Sequence, residues 1–168
     1  MHLPRWVGLL VAAALLLLPS TSVLAQAADD LARFEATVAA RYPGTPSLQA
    51  SEFLGRGDRD DFVVLDVRSP AERAVSRIPG AIDTSALPAA ASLAGRPLLV
   101  YCTIGMRSAQ ATTALRSRGY EAFNLAGGVL AWAQAGQDFV DAEGLPTRKV
   151  HVYGTLWNHL PPGYQGVW

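Results

Sequence analysis

The sequence predicts an α/β fold, a parallel sheet covered by helices on both faces. Three observations point there. Short, almost continuously apolar runs recur at 62–66 (FVVLD), 81–83, 97–101 (PLLVY) and 122–125. Segments of helical composition separate them, at 50–56, 70–75, 86–94, 108–118 and 128–135. Strands apolar at nearly every position are buried on both sides, and their alternation with helices marks parallel crossover connections. The chain of 168 residues, half of them apolar, suits one domain with a full core. Its formal net charge is zero, which gives no electrostatic reason to expect nucleic acid or an anionic membrane surface as partner.

Taken in order, residues 1–27 read as a secretory signal peptide. Arg5 precedes an apolar run, and Ala25-Gln26-Ala27 supplies a small-residue cleavage site. The alternative is a retained anchor, but the run is shorter than the roughly 20 residues a spanning helix needs. No cysteine stands near the cut to carry a lipid. The expected mature protein is exported, to the periplasm of a Gram-negative source or secreted, and has no membrane contact after cleavage. Residues 28–46 form an N-terminal helix and linker. Leu31, Phe34, Val38 and Tyr42 share one stripe, Asp29 or Asp30 can cap it, and Pro43-Gly44 ends it.

The alternating pattern occupies 47–136. Ligands of such sheets bind outside the carboxyl ends of the strands. Beyond Gly136 the pattern fades, yet Tyr153, Trp157, Tyr164 and Trp168 make 137–168 too apolar for a disordered tail. An extension packed over the domain, its aromatics tucked in, is expected. His151 and His159 stand there without further ligands nearby, so no metal and no cofactor is predicted.

Cys102 is the single cysteine. An exported chain normally pairs its cysteines, and an odd one points to a reactive thiol, a bridge to another molecule or an inert core residue. Its position decides between them. The PLLVY strand delivers Cys102 at its carboxyl end, and Thr103-Ile104-Gly105-Met106-Arg107 form a short loop. Ser108 then stands as the cap of the next helix, which Gly119 closes. Such a loop turns backbone N–H groups inward, Gly105 permits the turn, and the helix dipole adds positive potential. Together these favour thiolate over thiol and also suit an anionic substrate.

Four motifs, in order and at the right spacing, make 47–136 resemble a single-domain rhodanese, a sulfurtransferase module. They are Leu65-Asp66-Val67-Arg68 followed by Ser69-Pro70-x-Glu72; Ile78-Pro79-Gly80-Ala81; Val100-Tyr101-Cys102-x-x-Gly105-x-Arg107-Ser108; and Leu125-x-Gly127-Gly128-Val129-x-x-Trp132. The resemblance implies a rhodanese-like sheet of about five parallel strands, with Cys102 at the bottom of a cup made by its loop. It also implies a two-step reaction. Cys102 takes the outer sulfur of a donor such as thiosulfate as a persulfide, then passes it to cyanide or an external thiol.

On that pattern Cys102 and Arg107 are the catalytic candidates. Thr103, Ile104, Gly105, Met106 and Ser108 form the substrate loop, its variable positions facing the donor or acceptor. Asp66 and Arg68 support the site. Asp66 either supports the site, with Arg68, Arg77 and Arg107 as candidate partners, or caps a turn at its strand end. Arg107 either guides an anionic donor or, the favoured reading, locks the loop by pairing with a carboxylate. Surface or supporting ion pairing accounts for Arg68 and Glu72, and core packing for Trp132. Ile104 and Met106 make the rim apolar, which favours an organic or protein persulfide over bare thiosulfate. Arg77 stands where the family commonly has histidine. Related phosphatase and arsenate-reductase loops carry five residues between cysteine and arginine, whereas 103–106 is one shorter. A binding module without catalysis is the other alternative, and the extension or loop is where a protein partner would dock.

Overall fold

The computed structural model describes residues 18–168, with side chains from residue 25 onward. At its centre lies a five-stranded sheet, all neighbours parallel, in the order β1-β5-β4-β2-β3. The strands are β1 (Ser47–Leu48), β2 (Val63–Asp66), β3 (Ile82–Asp83), β4 (Leu98–Tyr101) and β5 (Ala122–Leu125). The α/β class and the parallel five-stranded sheet thus agree with expectation. β4 is buried at all four positions, which is why its sequence reads as a continuous apolar run.

Alternate residues of the central strands feed two cores. Leu99, Tyr101 and Leu125 join Phe53 of α2 (Ala50–Gly55) and Val129, Leu130 and Trp132 of α5 (Gly128–Gln134) on one face. Leu65, Leu98, Val100 and Ala122 meet Leu115 of α4 (Met106–Ser117) and Leu93 on the other. The chain leaves β2 toward β3 on one side and leaves β4 toward β5 on the other. The carboxyl ends of β2 and β4 therefore flank a topological switch point, where a crevice opens. Asp66 and Tyr101 are in register there, and Cys102 follows at once.

Several boundaries differ from the sequence expectation. α1 runs Leu18–Arg41, starting well before residue 28, because the alanine- and leucine-rich sequence offers nothing that would break a helix across Ala27. Of the predicted signal segment 1–27, residues 1–17 lie outside the described residues and 18–27 belong to α1. Among the described residues no helix is long and apolar enough to cross a membrane. The predicted helix at 86–94 is instead a pair of 3-10 turns, Thr84–Ala86 and Ala90–Leu93. Pro88 separates them, and Asp83 accepts the Ser85 and Ala86 amides at 2.8 and 3.2 Å. β1 went unpredicted because two residues carry no periodicity. Backbone bonds from Asn124 to Pro46 and from Ala126 to Leu48 hold it.

Residues 137–168 lie against this frame. β6 (Phe139–Val140) pairs antiparallel with β7 (Pro146–Thr147), and β8 (Lys149–His151) parallel with β9 (Gln165–Val167). Phe139, Val150 and Val152 are fully buried in the core they share with α5. Val140 also bridges the Arg77 backbone at 2.8 and 2.9 Å. Position 77 thus contributes its main chain here, for which a histidine or an arginine serves equally.

Candidate active site

Cys102 stands just past the carboxyl end of β4 and is 1% exposed. The chain then reverses at Gly105, whose φ of +92° caps α4 and would strain any residue with a Cβ. Because the turn falls there, α4 begins at Met106. Ser108 is consequently not the cap that the sequence predicts. It lies inside the first helical turn, fully buried, and its hydroxyl donates to the Cys102 sulfur at 3.4 Å. The amides of residues 103–108 donate to no backbone carbonyl or side chain among the described residues. Those of Met106, Arg107 and Ser108 are the first turn of a helix, which has no intrahelical acceptor to offer them.

The loop is fastened from behind by the paired glycines. Carbonyls of Cys102 and Thr103 accept the Val129 and Leu130 amides of α5 at 2.9 and 3.4 Å. A side chain at Gly128 would run into both carbonyls, and its φ is +54°. The Gly127-Gly128 motif therefore sets how closely α5 approaches the cysteine loop.

A second fastening crosses the rim. Arg107 donates from Nη1 to Glu72 Oε2 at 2.8 Å and from Nη2 to Oε1 at 2.6 Å. Thr103 Oγ1 joins them, donating to Glu72 Oε1 at 3.2 Å and accepting from Arg107 Nη2 at 3.1 Å. Arg107 locks the loop through a carboxylate as expected, but the carboxylate belongs to Glu72, which is 1% exposed and not a surface residue. Burial opposes ionisation of Glu72. The Arg107 guanidinium and the Ser69 amide and hydroxyl outweigh it and hold the carboxyl at about 2. Arg107 in turn is held more firmly protonated by Glu72, and the nearby Cys102 sulfur acts in the same direction. Thr103, expected to face the donor, does line the space over Cys102, while its hydroxyl is committed to this clamp.

Glu72 also explains its own concealment in the sequence. With Ser69 it forms a capping box at the start of α3 (Pro70–Val75), the Ser69 amide donating to Oε2 at 2.9 Å. One carboxylate thus serves a local helix start and a contact thirty-five residues away. The local role is legible from spacing, and it masks the distant one.

Below the rim lies a fully buried pair. Arg68 donates to both oxygens of Asp66, at 3.0 Å from Nε and 2.8 Å from Nη2, and Nη2 also reaches the Ser76 carbonyl at 2.6 Å. Asp66 accepts the Tyr101 hydroxyl at 2.5 Å, and that hydroxyl accepts the Ile78 amide at 3.1 Å. Of the three arginines considered for Asp66, Arg68 is the partner. Burial is the chief cause that pushes the Tyr101 phenol upward, so it remains a donor. This network ties the strand end before Cys102 to the segment around Ile78. Trp132 is core, its indole N–H donating to the Asp138 carbonyl at 3.1 Å.

The mouth over Cys102 contains residues the sequence did not single out for the site. Tyr153 and Trp157 of the extension, with Ile104 of the loop and Met106 at the start of α4, line an open cavity of about 310 Å³ that reaches Cys102. The Arg107 guanidinium lies over the Tyr153 ring at 5.5 Å. Trp157 packs on Phe34 of α1 at 5.4 Å between centroids, and His159 does so at 5.2 Å. His159 pairs through Nδ1 with Asp30 at 2.8 Å, and His151 accepts the Tyr153 amide at 3.2 Å. The signal for this mouth in the sequence was only the aromatic richness of the extension, since no spacing rule brings residue 153 to residue 107.

Comparison with known proteins agrees with the geometry. The family model described as "Rhodanese-like domain" matches residues 49–135. A curated "Sulfurtransferase" of Allochromatium vinosum is 38% identical over 97 residues, covering 52% of this chain and 86% of that protein. A tRNA uridine(34) hydroxylase of Cytophaga hutchinsonii is 35% identical over 104 residues, 55% of this chain but only 33% of that longer protein. Among solved structures, a thiosulfate sulfurtransferase from Pseudomonas aeruginosa aligns with a TM-score of 0.51 and 31% identity, over 68% of this chain and 23% of that one.

Proposed function

The chain belongs to the rhodanese-like domain family, and on that premise we propose that it is an exported sulfurtransferase working through a persulfide on Cys102. The observation that carries this reading is the single thiol at the end of β4, with the Ser108 hydroxyl on its sulfur and the 103–108 amides without acceptors among the described residues.

In the first step the Cys102 thiolate attacks the outer sulfur of the donor. A bond forms between Sγ and that sulfur, the donor's S–S bond breaks, and its electron pair leaves with sulfite when the donor is thiosulfate. The loop amides and the positive end of α4 hold the charge that builds on the transferred sulfur. In the second step cyanide or an external thiol attacks the outer sulfur of the persulfide and the thiolate returns. With no second cysteine in the chain, the acceptor has to come from outside. Arg107 acts by keeping the rim rigid, and Asp66 and Arg68 by fixing the strand end.

Mass spectrometry tests this. Incubation with thiosulfate or a polysulfide is expected to add about 32 Da at Cys102, and cyanide is expected to remove it as thiocyanate. Cys102→Ser should fold, as judged by circular dichroism, and take up no sulfur. Failure of the wild-type protein to load from any donor would leave a non-catalytic binding module as the better account.

A further inference from the structure

We propose that the mouth formed by Tyr153 and Trp157 selects the donor. Its substrate is a small organic persulfide or thiosulfonate with an aromatic or branched apolar group next to the transferable sulfur. This rests on the sulfurtransferase reading and adds the residues that discriminate among donors by their apolar group.

Three features of the mouth lead there. The first is charge. Arg107 is the cation of the rim, and both its terminal nitrogens are engaged by Glu72. The clamp is neutral as a unit, so beyond the loop amides the cavity offers a dianion no uncommitted positive side chain among the described residues. The second is surface. Ile104, Met106, Tyr153 and Trp157 present apolar walls around Cys102, and the volume of about 310 Å³ is at the low end of those that hold small organic ligands. The third is backbone. Tyr153 is held at φ +67°, a conformation unfavourable for a non-glycine residue and one that concentrates at ligand sites. The residue remains 67% exposed. Burial offsets little of that strain; the Arg107 guanidinium over the ring and the bond from the Tyr153 amide to His151 hold the residue at the mouth, where the exposed part of the ring is accessible to a ligand.

The transfer balances without an added oxidant. For a persulfide R–S–SH, Cys102 Sγ bonds to the terminal sulfur, the R–S bond to that sulfur breaks, and R–S⁻ departs with the electron pair. The proton stays on the transferred sulfur. For a thiosulfonate the departing group is the sulfinate.

The test uses benzenethiosulfonate and methanethiosulfonate as probes, which share a reacting group and differ in the apolar substituent. In the full chain, second-order loading of Cys102 is expected to be faster with the benzene compound by about tenfold or more, the scale of discrimination an apolar pocket achieves. Trp157→Leu and Tyr153→Ala should bring the ratio of the two rates to within about threefold. A measurement without variants accompanies them. Benzenesulfinate should slow alkylation of wild-type Cys102 by iodoacetamide, and methanesulfinate at equal concentration should not. Equal loading by the two probes, equal protection, or an unchanged ratio in both folded variants would overturn the assignment while leaving sulfur transfer standing. No loading from any donor would instead remove the sulfurtransferase reading beneath it.

Discussion

At the scale of single residues, the site is organised around Glu72. Its carboxyl is held at about 2 in the folded protein, against 4.5 for the free group. A carboxyl depressed by folding stabilises the native state fully above its unfolded value, and that contribution is lost as pH falls toward the folded value. The window is therefore from about pH 4.5 down to about 2. Glu72→Gln keeps the shape and removes the charge. It should cost about 1–3 kcal/mol at neutral pH, since a charged hydrogen bond to the half-exposed Arg107 is replaced by a neutral one. Urea unfolding across this pH range should show the two proteins converging as acidity rises. Parallel curves would mean that Glu72 is not the group whose ionisation secures the rim. Sulfur loading should also slow in the variant, because Arg107 and Thr103 lose the anchor that fixes the loop.

At the scale of elements, the mouth depends on α1. Phe34 carries both Trp157 and His159, so Phe34→Ala should destabilise by about 2 kcal/mol, below the range for a fully enclosed ring. Amide exchange in 153–159 should quicken while β4 and β5 stay protected. Unchanged exchange in that segment would show that the extension is held by β8 and β9 alone. The central strands, α3 and α5 were legible because each is long enough to display its pattern or carries a capping signal. The strand β1 was not, being two residues fastened by its neighbours' backbone. The 3-10 turns at 84–93 passed for a helix because alanine and leucine suit both, and only Pro88 hinted otherwise. In the site, Cys102, Gly105 and the locking of Arg107 could be read from position. The true place of Ser108 could not, since a serine two residues past the actual helix start looks like a cap when the turn at Gly105 is unseen.

At the scale of the whole molecule, α1 raises the question of where the working protein begins. Ala27 is buried, and its carbonyl accepts from Gln134 Nε2 at 2.7 Å. Cleavage after Ala27, as the proposed export requires, would release Gln134 to solvent but leave Asp30 and Phe34 in place. Intact-mass measurement of the protein from an envelope or culture fraction should give a chain beginning at Ala28. A chain retaining residues 1–27 would instead support an anchored form. The Arg107–Glu72 latch has a kinetic corollary at this scale too. A doorway whose charges cancel one another casts little field into solution, so substrates arrive by unguided diffusion. Loading rates should stay nearly level from about 50 to 500 mM salt, a span over which the Debye length shrinks severalfold. Salt is also a poor key to the latch, because its acidic half is shielded from the ions that would have to loosen it.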